Sequence, residues 1–286
     1  MLKADSIRLI TLLENTGPSR GLLCEHGLSI LVEAGGKSIL VDTGATPDTV
    51  VHNAMALGVS LSNVDAIVLS HGHYDHTGGL AAVLAAMHKQ TEVIAHPAIW
   101  EAKGGARPQG RVEYVGIPFC REELERVGAR FNLTAAPTWI TEDIATTGEE
   151  EMTTDFETID KKLVLKKGDD LVPDPVLDDQ SLFLKTDKGL VVVLGCAHRG
   201  MINVIRHCMK LSGMDKVYMV VGGTHLGPAS SEQVTKSVAA LREIGVEHIG
   251  VSHCTGLPRA AILAHEFGDR FFFNNCGTVL SLPLGD

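Results

Sequence analysis

The chain has 286 residues, 44% of them hydrophobic, enough for one large domain or two small ones with a sizeable core. Its formal net charge is -10, from 25 Lys and Arg against 35 Asp and Glu, and no basic stripe runs through it, which sets aside nucleic acid as a partner. The six Cys form no C-x-x-C pair and no disulfide-like framework, the first residues show no basic segment leading into an apolar stretch, and no apolar run could span a bilayer. A reduced, cytoplasmic protein that does not enter membranes is therefore expected; composition says nothing of its oligomeric state.

Residues 6–15 read as a strand, and 22–33 as a second with Glu25-His26-Gly27 in its middle. Gly35-Gly36 turns the chain into a third strand, 38–42, ended by Asp42-Thr43-Gly44; apolar strands around a Gly-Gly turn predict a hairpin. Residues 49–57 have helical apolar spacing. The apolar run 64–69 predicts a buried strand, followed by Ser70-His71-Gly72-His73-Tyr74-Asp75-His76-Thr77-Gly78-Gly79 and a helix over 80–88. Residues 92–95 form the next strand, ended by His96-Pro97, where the proline suits a helix start.

The Gly-rich stretch 102–110 reads as a loop that can move, with Lys103 and Arg107 either solvated or available to an anionic substrate. A short helix at 122–127 and a strand at 138–145 follow, then an acidic stretch, 146–155, and a mixture of apolar residues with Asp, Gly and Pro over 161–179. About 102–180 is thus expected to be an irregular insertion or lid within a single domain spanning 1–286, because it offers little core of its own.

Regular patterning returns with 181–186 and 190–194 around Asp187-Lys188-Gly189, a second hairpin, which ends in Gly195-Cys196-Ala197-His198. Next come a helix at 201–210, a strand at 216–221 running into Gly222-Gly223-Thr224-His225, and a helix at 231–244. A strand at 248–251 ends in Ser252-His253-Cys254, and a helix at 257–266 and a strand at 270–273 follow. Both halves place hairpin strands before strand–loop–helix units, which predicts a sheet-on-sheet core with outer helices.

Four potential ligands within six positions, His71, His73, Asp75 and His76, point to zinc, iron or manganese. In an extended loop His71 and His73 project to one side and can share an ion, while Asp75 and His76 turn away and can bind a second. Neither set completes a shell, and His198 and His253, each just past an apolar strand, are the best additional donors. A pair of ions roughly 3.5–4 Å apart can activate a hydroxide, which Asp75 could orient. Asp42 could accept the proton of a ligating His, or simply cap its turn.

His71-Gly-His73-Tyr-Asp75-His76-Thr-Gly-Gly resembles the metal-binding signature of the metallo-β-lactamase superfamily, and Asp42-Thr-Gly resembles its first motif. The resemblance implies an α/β fold, the αββα sandwich, and covers almost the whole chain outside the middle insertion. Glu25-His-Gly-Leu-Ser, Asp179-Gln-Ser-Leu, Gly195-Cys-Ala-His198-Arg-Gly, Gly222-Gly-Thr-His225-Leu and His253-Cys-Thr-Gly resemble a dihydropteroate-synthase-like subgroup. That resemblance implies an enzyme of one or two divalent metals, zinc foremost, joining a dihydropterin to a ribofuranosylaminobenzene phosphate. It carries His71, His73, Asp75, His76 and His253 over as ligands. Where the superfamily often has Gly-Asp with a bridging carboxylate, this chain has Gly195-Cys196, so His198 becomes the expected ligand. Cys196 is either a thiolate ligand or a structural cysteine. His225 is expected to contact substrate or act as acid or base, and His26 to serve similarly. A small anionic or phosphate-bearing substrate follows. Two alternatives remain: hydrolysis of a phosphoester or related ester by metal-bound hydroxide, and a metal-bound binding protein without turnover.

Overall fold

The computed structural model describes residues 1–17 and 20–285. Among these residues two large sheets face each other. One runs in the order Val279–Ser281, Arg8–Leu13, Ser29–Ala34, Lys37–Val41, Ala66–Val68, Thr91–Ala95, Ala129–Leu133. The other runs Phe271–Phe273, His248–Ser252, Val217–Gly223, Gly189–Leu194, Leu182–Thr186, Ile144–Thr146.

Side-chain alternation builds the layers. In Gly189–Leu194, Val191 and Val193 enter the core between the sheets with Ile30, Val32, Ile39 and Val41. Their neighbours Leu190, Val192 and Leu194 face the other way, under Met201–Ser212, Ser231–Ile244 and Leu257–Phe267. Ile10, Leu31 and Leu40 similarly turn outward beneath Thr49–Ala56 and Leu80–Met87. Strands buried on both faces must be apolar at both parities, which is why they read as continuous Val/Leu/Ile runs. Each fully buried Leu or Val adds about 1.5–3 kcal/mol relative to exposure. The helix–sheet–sheet–helix architecture is the expected αββα sandwich. Among the described residues no helix is long and apolar enough to cross a membrane.

Parallel pairing gathers the strand ends. Val41 lies opposite Val68, so Asp42 and Ser70 leave the first sheet side by side. In the second sheet Leu194 lies opposite Gly222 and Gly223 opposite Ser252, so Cys196, His198, His225 and His253 leave it together.

Several elements depart from the sequence reading. The second strand spans Ser29–Ala34 rather than 22–33. Glu25 accepts hydrogen bonds from the Ala45 and Thr46 peptide N–H groups and from the Thr46 hydroxyl, which pins the preceding residues as a loop. The strand expected at 138–145 is Ile144–Thr146. Within the insertion expected to be irregular, about 102–180, Lys103–Ala106 (from the stretch 102–110 read as a mobile loop) and Val112–Tyr114 join Leu163–Lys167 and Asp170–Pro173 in a four-stranded antiparallel sheet. Val279–Ser281, past the last strand expected, pairs with Arg8–Leu13.

Candidate metal centre

The apolar strand Ala66–Val68 delivers Ser70–His76 to the edge where the two sheets meet, and Tyr74–Thr77 forms one short helical turn there. The two glycines after it are steric necessities. A Cβ on Gly78 would strike the Ala45 carbonyl oxygen, and one on Gly79 the carbonyl oxygen of Thr43. The motif is thus docked against the loop that follows Asp42.

His71, His73 and His198 form one cluster of buried donors. His71 Nε2 is 2.9 Å from His73 Nδ1 and 3.1 Å from His198 Nε2. The second group is Asp75, His76 and His253. His253 Nε2 is 3.2 Å from His76 Nε2 and 3.3 Å from Asp75 Oδ2, and His76 Nε2 is 3.8 Å from the same oxygen. His26, reaching in from its loop, places Nε2 3.1 Å from Asp75 Oδ2. All the residues singled out as ligands by spacing therefore meet at one edge, and His26 joins them at the half-open side.

Outer partners set the tautomers. Asp42 accepts from the Ser70 peptide N–H at 2.7 Å, the Ser70 hydroxyl at 2.7 Å and His76 Nδ1 at 2.6 Å. With its proton given to Asp42, Ser70 Oγ accepts from His71 Nδ1 at 2.9 Å. Asn15 Oδ1 accepts from His253 Nδ1 at 2.8 Å, while Glu14 accepts the His253 peptide N–H at 3.1 Å. His71 and His253 thus each carry the Nδ1 proton and turn an Nε2 lone pair inward, and His76 would offer its Nε2 in the same way once a metal ion displaced the second proton. Lone pairs facing each other at such separations repel unless a cation lies among them. Buried His73 Nε2 and His198 Nδ1 meet no hydrogen-bond partner among the described residues. This donor set fits divalent ions of the zinc, iron or manganese class.

The ionisation pattern expresses the same demand for positive charge. Burial opposes a charge on His76, but the Asp42 and Asp75 carboxylates overcome it and raise its pKa from 6.5 to about 9. Burial likewise opposes charge on Asp75, yet His76, His253 and His26 hold its carboxyl well below the usual range. Burial pushes His73 down to about 3 and lowers His71 and His198 well below an ordinary imidazole, keeping them neutral.

Cys196 Sγ lies 3.2 Å from His76 Nε2. Burial, reinforced by Cys254, raises its thiol pKa well above the ordinary value, so coordination there has to displace a firmly held proton. His225 stands beside His198, ring centroids 4.2 Å apart, with both ring nitrogens buried and unpartnered. Both His225 and His253 hold positive φ, 51° each, a conformation that costs a non-glycine residue about 1–3 kcal/mol.

These groups floor a cavity of about 360 Å³, lined by Tyr74, Val115, Leu163, Arg107 and Lys162 as well as His225 and Cys254. Arg107, whose guanidinium pairs with Glu113 at 2.7 Å, lies on this wall. Lys103 does not: its side chain is fully buried between Asp174 and Asp178, so it is neither solvated nor open to substrate. Asn15, Ser70, Asp178 and Cys254 escaped the sequence reading. Cys254 alone carried a signal, as the neighbour of a strand-end histidine.

The sequence profile of the metallo-beta-lactamase superfamily matches residues 23–206. The chain is 33% identical, over 97% of both chains, to the 7,8-dihydropterin-6-methyl-4-(beta-D-ribofuranosyl)-aminobenzene-5'-phosphate synthase of Methanocaldococcus jannaschii. It matches the crystal structure of a metal-dependent hydrolase of the beta-lactamase superfamily with a TM-score of 0.83 at 28% identity, covering 96% of this chain and 99% of that one. Human tRNase Z, short form, at 10% identity and a TM-score of 0.54 over 97% of this chain and 100% of that one, shares the fold alone. Profile, full-length relative and architecture agree that the chain belongs to the metallo-beta-lactamase superfamily.

Proposed function

We propose that the protein is a metal-dependent enzyme that joins a dihydropterin to a ribofuranosylaminobenzene phosphate. The observation that carries this reading is the 33% identity, spanning 97% of each chain, to a synthase named for that product. His71, His73 and His198 would hold one ion, and Asp75, His76 and His253 a second, with Cys196 beside the latter. Ions bound there, zinc foremost, would supply positive charge to a diphosphate leaving the pterin.

The chain's own residues do the rest. A cavity of about 360 Å³ is of the size that encloses small ligands. Tyr74, Val115, Leu163 and Pro228 offer apolar surface to the flat rings, and Arg107 and Lys162 offer cations to a phosphate. His225, with two unpartnered ring nitrogens, offers an acceptor for the arylamine proton. Asp75 remains a carboxylate at neutral pH and holds His26 and His253 against the cavity.

The test is to incubate zinc-, manganese- or iron-loaded protein with the dihydropterin diphosphate and the arylamine phosphate and to look for the coupled product by mass. A second reading, hydrolysis of a phosphoester or related ester, draws on the likeness to a metal-dependent hydrolase at TM-score 0.83. Turnover of generic phosphodiesters by the same preparation, without coupled product, would put hydrolysis in its place.

A further inference from the structure

Between the small four-stranded sheet and the ligand loop lies a short segment, 174–180, that the chemistry above does not use. Asp178 is buried and divides its carboxylate between two donors. Its Oδ2 accepts the Gly72 peptide N–H at 2.7 Å, and its Oδ1 accepts the Lys103 ammonium at 2.7 Å. Gly72 is the residue between His71 and His73. A Cβ at Gly72 would lie 2.5 Å from the Ile99 carbonyl oxygen, which requires glycine there, and 3.2 Å from Asp178 Oδ2, so the carboxylate also packs closely on this residue. Lys103, on Lys103–Ala106, is also bound by Asp174 at 3.2 Å, and all three side chains are excluded from water.

The next two residues grip the flanking loops. Asp179 Oδ2 accepts the Arg199 peptide N–H at 2.8 Å, one position past His198. The Gln180 peptide N–H donates to the Ser70 carbonyl oxygen at 2.9 Å, and its side-chain amide donates to that of Leu69 at 2.9 Å. Where the small sheet lines the cavity, the Val115 carbonyl oxygen accepts the Tyr74 peptide N–H at 2.9 Å.

We propose that Asp178, braced by Lys103, is a positioning residue for the metal centre. It fixes the spacing of His71 and His73 through the Gly72 peptide and makes the small sheet a fixed wall of the cavity, not a lid. This rests on His71, His73 and His198 forming a metal set, and not on which reaction the protein catalyses. Groups one step behind the ligands commonly alter metal affinity by roughly 10–100-fold when changed.

Asp174 supplies a matched control. In Asp178→Asn the new amide must turn its NH2 group toward either Gly72 N–H or Lys103, so one arm is lost. Asp174→Asn does the same damage to the same lysine, because Asp174 Oδ1 accepts the Val176 peptide N–H at 2.7 Å, but it leaves the ligand loop alone. Cobalt binding by the wild-type chain tests the metal assignment itself. The comparison of variants tests positioning, by chelator competition and by the cobalt ligand-field spectrum. Asp178→Asn is expected to weaken cobalt binding about 10–100-fold and to shift the spectrum, while Asp174→Asn keeps the wild-type affinity and spectrum. Equal effects in both variants, or a wild-type spectrum and affinity in Asp178→Asn, would overturn the proposal. Amide hydrogen exchange on the metal-free wild-type protein gives a second reading that needs no variant. The Gly72 N–H is expected to be protected like that of Val68 in the adjoining strand; exchange at the rate of an open loop would equally overturn it.

Discussion

Asp42 Oδ2 accepts a hydrogen bond from His76 Nδ1 at 2.6 Å and, on the same oxygen, one from the Ser70 hydroxyl at 2.7 Å, whose oxygen in turn accepts from His71 Nδ1. One buried carboxylate thereby orients a ring in each of the two donor clusters. Asp42 itself sits at φ 60°, in the left-handed region that a non-glycine residue rarely adopts.

Asp42→Ala should therefore injure both clusters at once. It strands the Ser70 N–H and hydroxyl and frees His76 to change tautomer. We expect a loss of about 3–5 kcal/mol in urea unfolding of the metal-free protein. Affinity should fall roughly 10–100-fold for the ions of both clusters in chelator competition. Ser70→Ala should weaken mainly the His71 cluster. Wild-type affinity in Asp42→Ala would refute the shared-orientation argument.

The two clusters also respond to pH in opposite directions in the metal-free protein. For His76 burial opposes the charge, but Asp42 and Asp75 lift its pKa from 6.5 to about 9. Its stabilising contribution is fully present below pH 6.5 and disappears as pH rises through about 9. His73 behaves inversely, with burial lowering its pKa from 6.5 to about 3. The unfolded chain takes up that proton below pH 6.5 and the folded chain does not until about pH 3. Each imidazole of this kind costs about 1.4 kcal/mol per pH unit across such a window. Site-resolved imidazole NMR titration of the metal-free protein checks this: His76 should be protonated and His73 neutral at neutral pH, and a neutral His76 there would contradict the assignment.

Gly78 has an ordinary helical backbone, φ -66°, so its need for glycine is steric and not conformational. Gly78→Ala drives a methyl group into the Ala45 carbonyl oxygen, which belongs to backbone and cannot swing aside. We expect a loss of about 1–3 kcal/mol, measured by thermal or urea unfolding, together with weaker metal binding as Asp75 and His76 are displaced. A variant as stable as wild type would mean that the turn of helix is not docked as tightly as its contacts imply.

The parts of the fold legible in the sequence were those with local causes. The Val/Leu/Ile runs announced buried strands, and the His-x-His-x-Asp-His spacing and the histidines just past strands announced which side chains could converge. What was illegible acts across long separations. Asn15 orients His253 from 238 residues away, and Asp178 reaches Gly72 across 106. Nothing local marks either residue. Lys103 reads as solvated because a charge followed by two glycines looks like loop. Its burial follows from Asp174 and Asp178, which a one-dimensional pattern cannot pair with it. The small sheet was missed for a related reason. Lys103–Ala106 is half glycine and pairs with Leu163–Lys167, so neither alternation nor a nearby turn betrays it.

Metal content separates the two clusters directly. His198 reaches His71 but lies outside the Asp75 group, and His253 reaches His76 and Asp75 but lies outside the His71–His73–His198 group. If each group holds its own ion, His198→Ala and His253→Ala should each lose one ion per chain by elemental analysis, and the double variant should lose both. His253 needs a folding control, because its backbone N–H is also held by Glu14; circular dichroism supplies it. Exhaustive dialysis against chelator should abolish turnover, and adding back zinc, manganese or iron should restore it. A single-site variant that loses both ions while remaining folded would mean that the two clusters form one cooperative site. Unchanged metal content in His198→Ala would remove that histidine from the ligand set and leave His71 and His73 to close their shell some other way.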